Sequence, residues 1–78
     1  MSIYAICTDA DYTEIKAVSI DAAAREWATS EGYVGVRTAV GLLRRMATVN
    51  GAWMWIDGPN GRMGGSTEDS LREYLHKH

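Results

Sequence analysis

The sequence predicts an α+β domain: an antiparallel β-sheet built from two hairpins, packed against two or three short α-helices. Three observations point there. Residues 3–8 and 12–18 are rich in β-branched and aromatic side chains and flank the turn-like Asp9-Ala10-Asp11. Ile20, Ala23, Ala24, Trp27 and Ala28 recur at helical spacing behind Ser19. Asn50-Gly51, set between apolar strand formers, is the residue pair that a tight type I′ hairpin turn prefers.

In the first hairpin, Glu14 and Lys16 alternate with Thr13, Ile15 and Ala17, so one strand face looks inward and the other meets water. Ser19 stands at an N-cap position and Asp21 in the first turn suits the helix dipole. Arg25, Glu26 and Thr29 lie off the apolar stripe, and Gly32 at a C′ position ends the helix near Ser30 or Glu31. Residues 33–49 admit two readings. Val36, Ala39, Val40, Leu43, Met46 and Ala47 fit a helical stripe, whereas the interior Gly41, a weakly capped start and several β-branched residues oppose it. The Asn50-Gly51 signal ends any helix by about Leu43 and gives a strand over roughly 44–49. A two-residue loop there sets Met46 opposite Trp55, Arg45 opposite Ile56 and Arg44 opposite Asp57. Residues 57–61 form a further turn, 62–64 a short returning strand, and Ser66 caps a last helix with Leu71, Tyr74 and Leu75 as its buried stripe.

With 78 residues and no linker-like stretch, residues 1–78 read as a single domain. A composition of 46% hydrophobic and 23% charged residues excludes the disordered class. A chain of this length buries only roughly 60% of its unfolded surface, which leaves little volume in which to enclose a substrate. Cys7 is the sole cysteine, so neither an internal disulfide nor a cysteine zinc site can form. No signal peptide or membrane span is legible, so a cytoplasmic protein is expected. Charge is unevenly distributed. Residues 1–35 carry Asp9, Asp11, Glu14, Asp21, Glu26 and Glu31 against Lys16 and Arg25, a net charge of −4. Residues 36–64 carry Arg37, Arg44, Arg45 and Arg62 against Asp57, a net charge of +3. An acidic amino-terminal half favours a basic partner and a steered encounter.

Candidate chemistry is sparse, and no catalytic residue, metal or cofactor is expected. Cys7 could pair with His76 or His78, but both histidines lie in the last three residues, where nothing positions an orienting group; a buried, inert thiol is the plainer reading. The glycine-rich run 58–66 lacks the Lys-Ser/Thr ending of a phosphate loop, and Glu68 and Asp69 follow it where they would repel a phosphate. The tryptophans carry more information. Trp27 belongs to a helix stripe and reads as core. Trp53 and Trp55 share one strand face, with Ala52, Met54 and Ile56 on the other. Two or three helices can hardly cover both sides of a sheet, so an exposed aromatic face competes with a wholly core role. Such a face suits a protein interface. It could also stack bases beside Arg44 and Arg45, although the acidic overall charge argues against direct nucleic-acid binding.

The stretch Thr48-Val49-Asn50-Gly51-Ala52-Trp53 and the strand-to-helix junction Ala17-Val18-Ser19-Ile20 resemble features of the small phage-encoded inhibitors of type I CRISPR–Cas systems, the anti-CRISPR proteins. The succession of hairpin, Ser-capped helix and strand-Asn-Gly-strand is similar as well, although this chain adds a predicted carboxyl-terminal helix. The resemblance implies a non-enzymatic inhibitor, in the cytoplasm of a bacterial host, that binds Cas proteins of the crRNA-guided Cascade effector and blocks target-DNA binding. The residues expected to meet such a partner are Asp9, Asp11, Glu14, Glu26 and Glu31 as an acidic surface, with Arg44, Trp53 and Trp55 as anchors. The competing class is a small antitoxin-like or transcriptional regulator joined as a homodimer through the Trp53/Trp55 face or an open sheet edge. Sequence leaves monomer and homodimer both open.

Overall fold

The first hairpin forms where the alternation places it. In the computed structural model, which describes residues 1–8, 10–47 and 54–64, strand β1 (Ser2–Thr8) pairs antiparallel with β2 (Tyr12–Ala17), from Ser2 opposite Ala17 to Cys7 opposite Tyr12. Thr8 organises the turn between them. Its N–H donates to the Asp11 carbonyl at 2.8 Å, and its Oγ1 accepts from the N–H groups of Ala10 at 3.2 Å and Asp11 at 2.9 Å.

Helix α1 (Ile20–Ser30) starts as the sequence predicts, with Ser19 in extended backbone and its Oγ accepting from the Ala22 N–H at 3.1 Å. It ends in a Schellman motif. Gly32 has φ of 84°, its N–H donates to the Thr29 carbonyl at 3.2 Å, and the Tyr33 N–H donates to the Ala28 carbonyl at 2.8 Å. The Tyr33 ring stacks on Trp27 with centroids 5.9 Å apart, and Ala23, Ala24, Trp27 and Ala28 are buried. Three alanines on that stripe let the helix approach the sheet closely.

Residues 39–47 form a helix, α2 (Ala39–Ala47), which corrects the expected strand over 44–49 at residues 44–47; 48 and 49 lie outside the described residues. Arg44 and Arg45 sit in its last turn, where they complement the negative end of the dipole. The pairings of Arg44 with Asp57, Arg45 with Ile56 and Met46 with Trp55 therefore do not exist, and Met46 is instead buried on the helix stripe with Ala39, Leu42 and Leu43. The start of α2 is also better capped than its local sequence indicates. Thr38 Oγ1 accepts from the Gly41 N–H at 2.9 Å, and a Cβ on Gly41 would stand 3.0 Å from that oxygen, so the interior glycine makes room for the cap. A second cap comes from eighteen positions earlier: Asp21 Oδ1 accepts from the Ala39 N–H at 2.8 Å. One carboxylate thus sits in the first turn of α1 and on the amino terminus of α2. The Asn50-Gly51 turn, Trp53 and the last predicted helix over 66–78 lie outside the described residues.

Strand β3 (Met54–Gly58) returns beside β1, from Ala5 opposite Asp57 to Thr8 opposite Met54, and β4 (Gly61–Gly64) folds back on it across Pro59-Asn60. The short returning strand is thus present. The four-stranded sheet has the order β2-β1-β3-β4 with every neighbouring pair antiparallel, and with two helices it is a small α+β fold. Because β2 and β3 both run against β1, the connection between them is a crossover, and it carries both helices over one face. Ile6, Leu42, Leu43, Met54 and Ile56 are fully buried at the centre of that packing, with Trp27, Tyr4 and the small residues of α1 around them. Gly64 closes the far edge with φ of 102°, and a Cβ there would stand 2.8 Å from the Met54 carbonyl oxygen.

Asp21→Ala, which leaves the Ala39 N–H without its acceptor, is expected to lower stability by about 1–2 kcal/mol in urea unfolding, whereas Asp21→Asn, which keeps an acceptor oxygen, retains most of it. Equal losses in the two variants would show that the cap contributes nothing.

Candidate interaction surface

The alternation that sends Tyr4, Ile6, Met54 and Ile56 under the helices sends their neighbours to the second face of the sheet. Three cross-strand rows make up that face. Tyr12, Cys7 and Trp55 lie side by side, as do Glu14, Ala5, Asp57 and Arg62, and Lys16 lies beside Ile3. Neither described helix packs on it. Small side chains on the central strand, between Tyr12 on one flank and Trp55 on the other, give a shallow strip with an aromatic on each side. Ile3 is 57% and Tyr12 64% exposed, whereas Trp55 is half-buried.

The Trp55 side is held by electrostatics. Arg62 Nε donates to Asp57 Oδ1 at 2.7 Å and its Nη2 to Oδ2 at 3.1 Å, a two-pronged ion pair, while the guanidinium carbon stands 4.2 Å from the centre of the Trp55 ring. Only a planar fork satisfies both contacts. Both partners are solvent-exposed and screened, so the pair and the ring contact orient the Trp55 ring and add little to the stability of the sheet. Across the strip, the Tyr12 hydroxyl donates to Glu14 Oε2 at 3.4 Å, and the Glu14 charge pushes the Tyr12 phenol pKa up.

Cys7 lies between them, buried and free. Burial raises its thiol pKa, and the Asp57 charge raises it further; Arg62 and the neighbouring Trp55 side chain pull in the opposite direction without reversing the shift. A thiol shifted this way is protonated at neutral pH and is a poor nucleophile.

The residues expected at an interface divide between two layers. Glu14 and Trp55 share the second face of the sheet, on either side of β1. Asp11 is exposed at the end of the first hairpin. Glu26 and Glu31 are exposed on α1, and Arg44 is exposed on α2, so these three belong to the helical layer. Arg44 is therefore not part of the tryptophan face; its place beside Asp57 is taken by Arg62. Asp9 and Trp53 lie outside the described residues. Sequence reasoning set Lys16 beside Glu14 on the water-facing side of β2 but named neither it nor Tyr12 nor Arg62 as an interface residue. Arg62 was within reach of it: a two-residue loop at 59–60 sets Asp57 opposite Arg62 by the same arithmetic applied to Asn50-Gly51.

The fold also turns the charge asymmetry of the chain into one in space. Helix α1 packs on β1 and β2 and helix α2 on β3, so the described acids Asp11, Glu14, Glu26 and Glu31 belong to the half built from β1, β2 and α1. Arg37, Arg44, Arg45 and Arg62 belong to the other half. Arg25, a base of the acidic half, donates to the Arg37 carbonyl at 3.4 Å, and Arg45 donates to the Val34 carbonyl at 2.7 Å, so two of the cations are engaged in tying the halves together.

Among the described residues no group of three or more histidine, cysteine, aspartate or glutamate side chains is placed to hold a metal ion, and no helix is long and apolar enough to cross a membrane. No family model, curated protein or solved structure matches the chain.

Alkylation of Cys7 by iodoacetamide is expected to be slow at neutral pH and to accelerate only above the pH at which an ordinary thiol ionises. Asp57→Asn removes a charge that opposes ionisation, so it should move the pH–rate profile to lower pH. A profile that stays in place or moves upward would show that Asp57 does not act on the thiol.

Proposed function

We propose that this chain is a non-enzymatic inhibitor that binds the crRNA-guided Cascade effector of a type I CRISPR–Cas system, through its Cas proteins, and blocks access to target DNA. The observation that carries the reading is the spatial separation of charge, with exposed Asp11, Glu14, Glu26 and Glu31 on one half of the fold and Arg37, Arg44, Arg45 and Arg62 on the other. A protein surface that accepts DNA presents lysine and arginine to phosphates, and an array of carboxylates on a rigid scaffold competes for the same cations. The arginine half, turned away, orients the approach by repulsion from that basic surface. Asp9 joins the acidic set by its place in the sequence, and Trp55, fixed by Arg62, offers an aromatic anchor on the adjoining face. The protonated, buried Cys7 and the sparse chemistry of the chain support a role in binding over one in catalysis.

A homodimeric antitoxin-like or regulatory protein is the second reading. It is favoured by the exposed Ile3 and Tyr12 on the second sheet face and by the outer edge of β2, which no described strand pairs; a second copy could cover both.

The triple variant Glu14→Lys, Glu26→Lys, Glu31→Lys is expected to lose about tenfold or more in inhibition in a CRISPR interference assay, while Cys7→Ser keeps full activity. Full inhibition by the triple variant would sink the acidic-surface mechanism. Sedimentation mass separates the second reading: a stable dimer that binds duplex DNA with steep salt dependence supports regulation, and tight capture of a Cas complex without DNA affinity supports inhibition.

A further inference from the structure

Two strands of the sheet, β2 and β4, have an outer edge that no described strand pairs. The two edges are not alike. Strand β4 is 4 residues long and bounded by glycines, which makes a short edge, whereas β2 runs for 6 residues without a proline or a break in its register with β1. The hairpin decides which backbone groups of β2 are open. The Thr8 N–H donates to the Asp11 carbonyl, so those two residues are a hydrogen-bonded pair of the ladder. Alternation from that pair directs the N–H and C=O groups of Thr13, Ile15 and Ala17 to β1, and those of Tyr12, Glu14 and Lys16 to the outer edge. The side chains of Tyr12, Glu14 and Lys16 are all exposed, on the second face of the sheet.

Charge makes this edge selective. An antiparallel partner has to meet outward residues with outward residues, so the permitted registers lie two residues apart. Against a second copy of β2, one such register sets Glu14 opposite Glu14 and another sets Lys16 opposite Lys16, and like charges repel in both. The register between them sets Glu14 of each copy opposite Lys16 of the other. Its remaining pairs also match. Tyr12 stands opposite Val18, which is 73% exposed one residue past the strand, and Ile15 meets its own counterpart on the helical side. Ile15 packs partly buried against the core, and the Ile15 pair is of the non-hydrogen-bonded kind, in which side chains come closest.

We propose that two copies of this chain associate edge to edge through β2 in that register, antiparallel about a two-fold axis at Ile15, so that their sheets become one. Every contact is then made twice, as an isologous interface requires. The contact rests on the homodimer of the second functional reading and gives it a strand, a register and a symmetry; the inhibitor reading stands with or without it. Joining along β2 sets the two acidic halves side by side and leaves the arginine halves at the outer ends of the joined sheet.

The test is sedimentation equilibrium of the full chain, of Glu14→Lys, of Lys16→Glu and of the double swap Glu14→Lys, Lys16→Glu. In its own chain Glu14 lies opposite Ala5 and Lys16 opposite Ile3, so the substitutions break no ion pair across the hairpin, and unchanged melting temperatures check that the fold is kept. The mass of the wild type should rise from monomer toward dimer as the protein approaches about 1 mM, as suits an edge contact below the standard interface size. Each single variant turns two opposite-charge pairs into two like-charge pairs and should weaken the dimer about tenfold. The double swap should restore it, and an equimolar mixture of the two single variants should form the heterodimer. A chain that stays monomeric at that concentration overturns the contact and the homodimer reading together. A dimer that both single variants leave unchanged, or a double swap no tighter than the singles, overturns the β2 register alone and moves the interface to another surface.

Discussion

The central position of β1 governs the rest of the molecule. Both of its edges are hydrogen-bonded, to β2 and to β3, and Tyr4, Ala5, Ile6 and Cys7 are all buried along it. A strand so placed forces β3 to come back against it from the far side of β2, and the intervening chain has to cross the sheet. Both described helices therefore lie on one face, and neither packs on the other. The crossing is secured by Asp21, whose carboxylate joins the starts of the two helices, and by Arg25 and Arg45, which bind carbonyls of the connecting segment. Burial of Ile6, Ile56, Met54, Leu42 and Leu43 supplies most of the driving force, at roughly 1.5–3 kcal/mol for each such side chain.

How much of this was legible follows the range of the signals. The first hairpin and α1 declare themselves within about ten residues, through alternation, the Ser19 cap and Gly32, and the structure has them where the sequence puts them. Helix α2 was cut short because its support is not local. Asp21 is distant in sequence, and the Thr38 hydroxyl gives Gly41 a purpose that composition alone presents as a fault. The β-branched residues near the start of α2 weigh little against a stripe of Ala39, Leu42, Leu43 and Met46 that the sheet can bury. Pairing of β1 with β3 has no local signature at all; it is set by which apolar faces can be covered together.

The interaction surface was legible in the same partial way. Alternation correctly separated Trp55 from Met54 and Ile56, and the run of early acids was visible as a count. What the count could not supply was geometry: Glu14 shares a face with Trp55, while Glu26, Glu31 and Arg44 sit on the helical side. Arg62 acquired its place from a register that the tight turn at 59–60 encodes. The proposed inhibitor is thus a scaffold whose two layers carry different chemistry, carboxylates prominent on the helices and an arginine-clamped aromatic on the strands.

The pairing of Ala5 with Asp57 has a consequence for how the chain is made. On the ribosome, the first hairpin and α1 emerge long before residue 57, and until then β1 has one unpaired edge and Ile6 has no Ile56 or Met54 to cover it. The nascent chain therefore passes through an interval in which a strand with exposed backbone donors and apolar side chains is open to any other extended segment. Emergence of Met54–Gly58 ends that interval, so the last strands of the sheet complete the protection of the first.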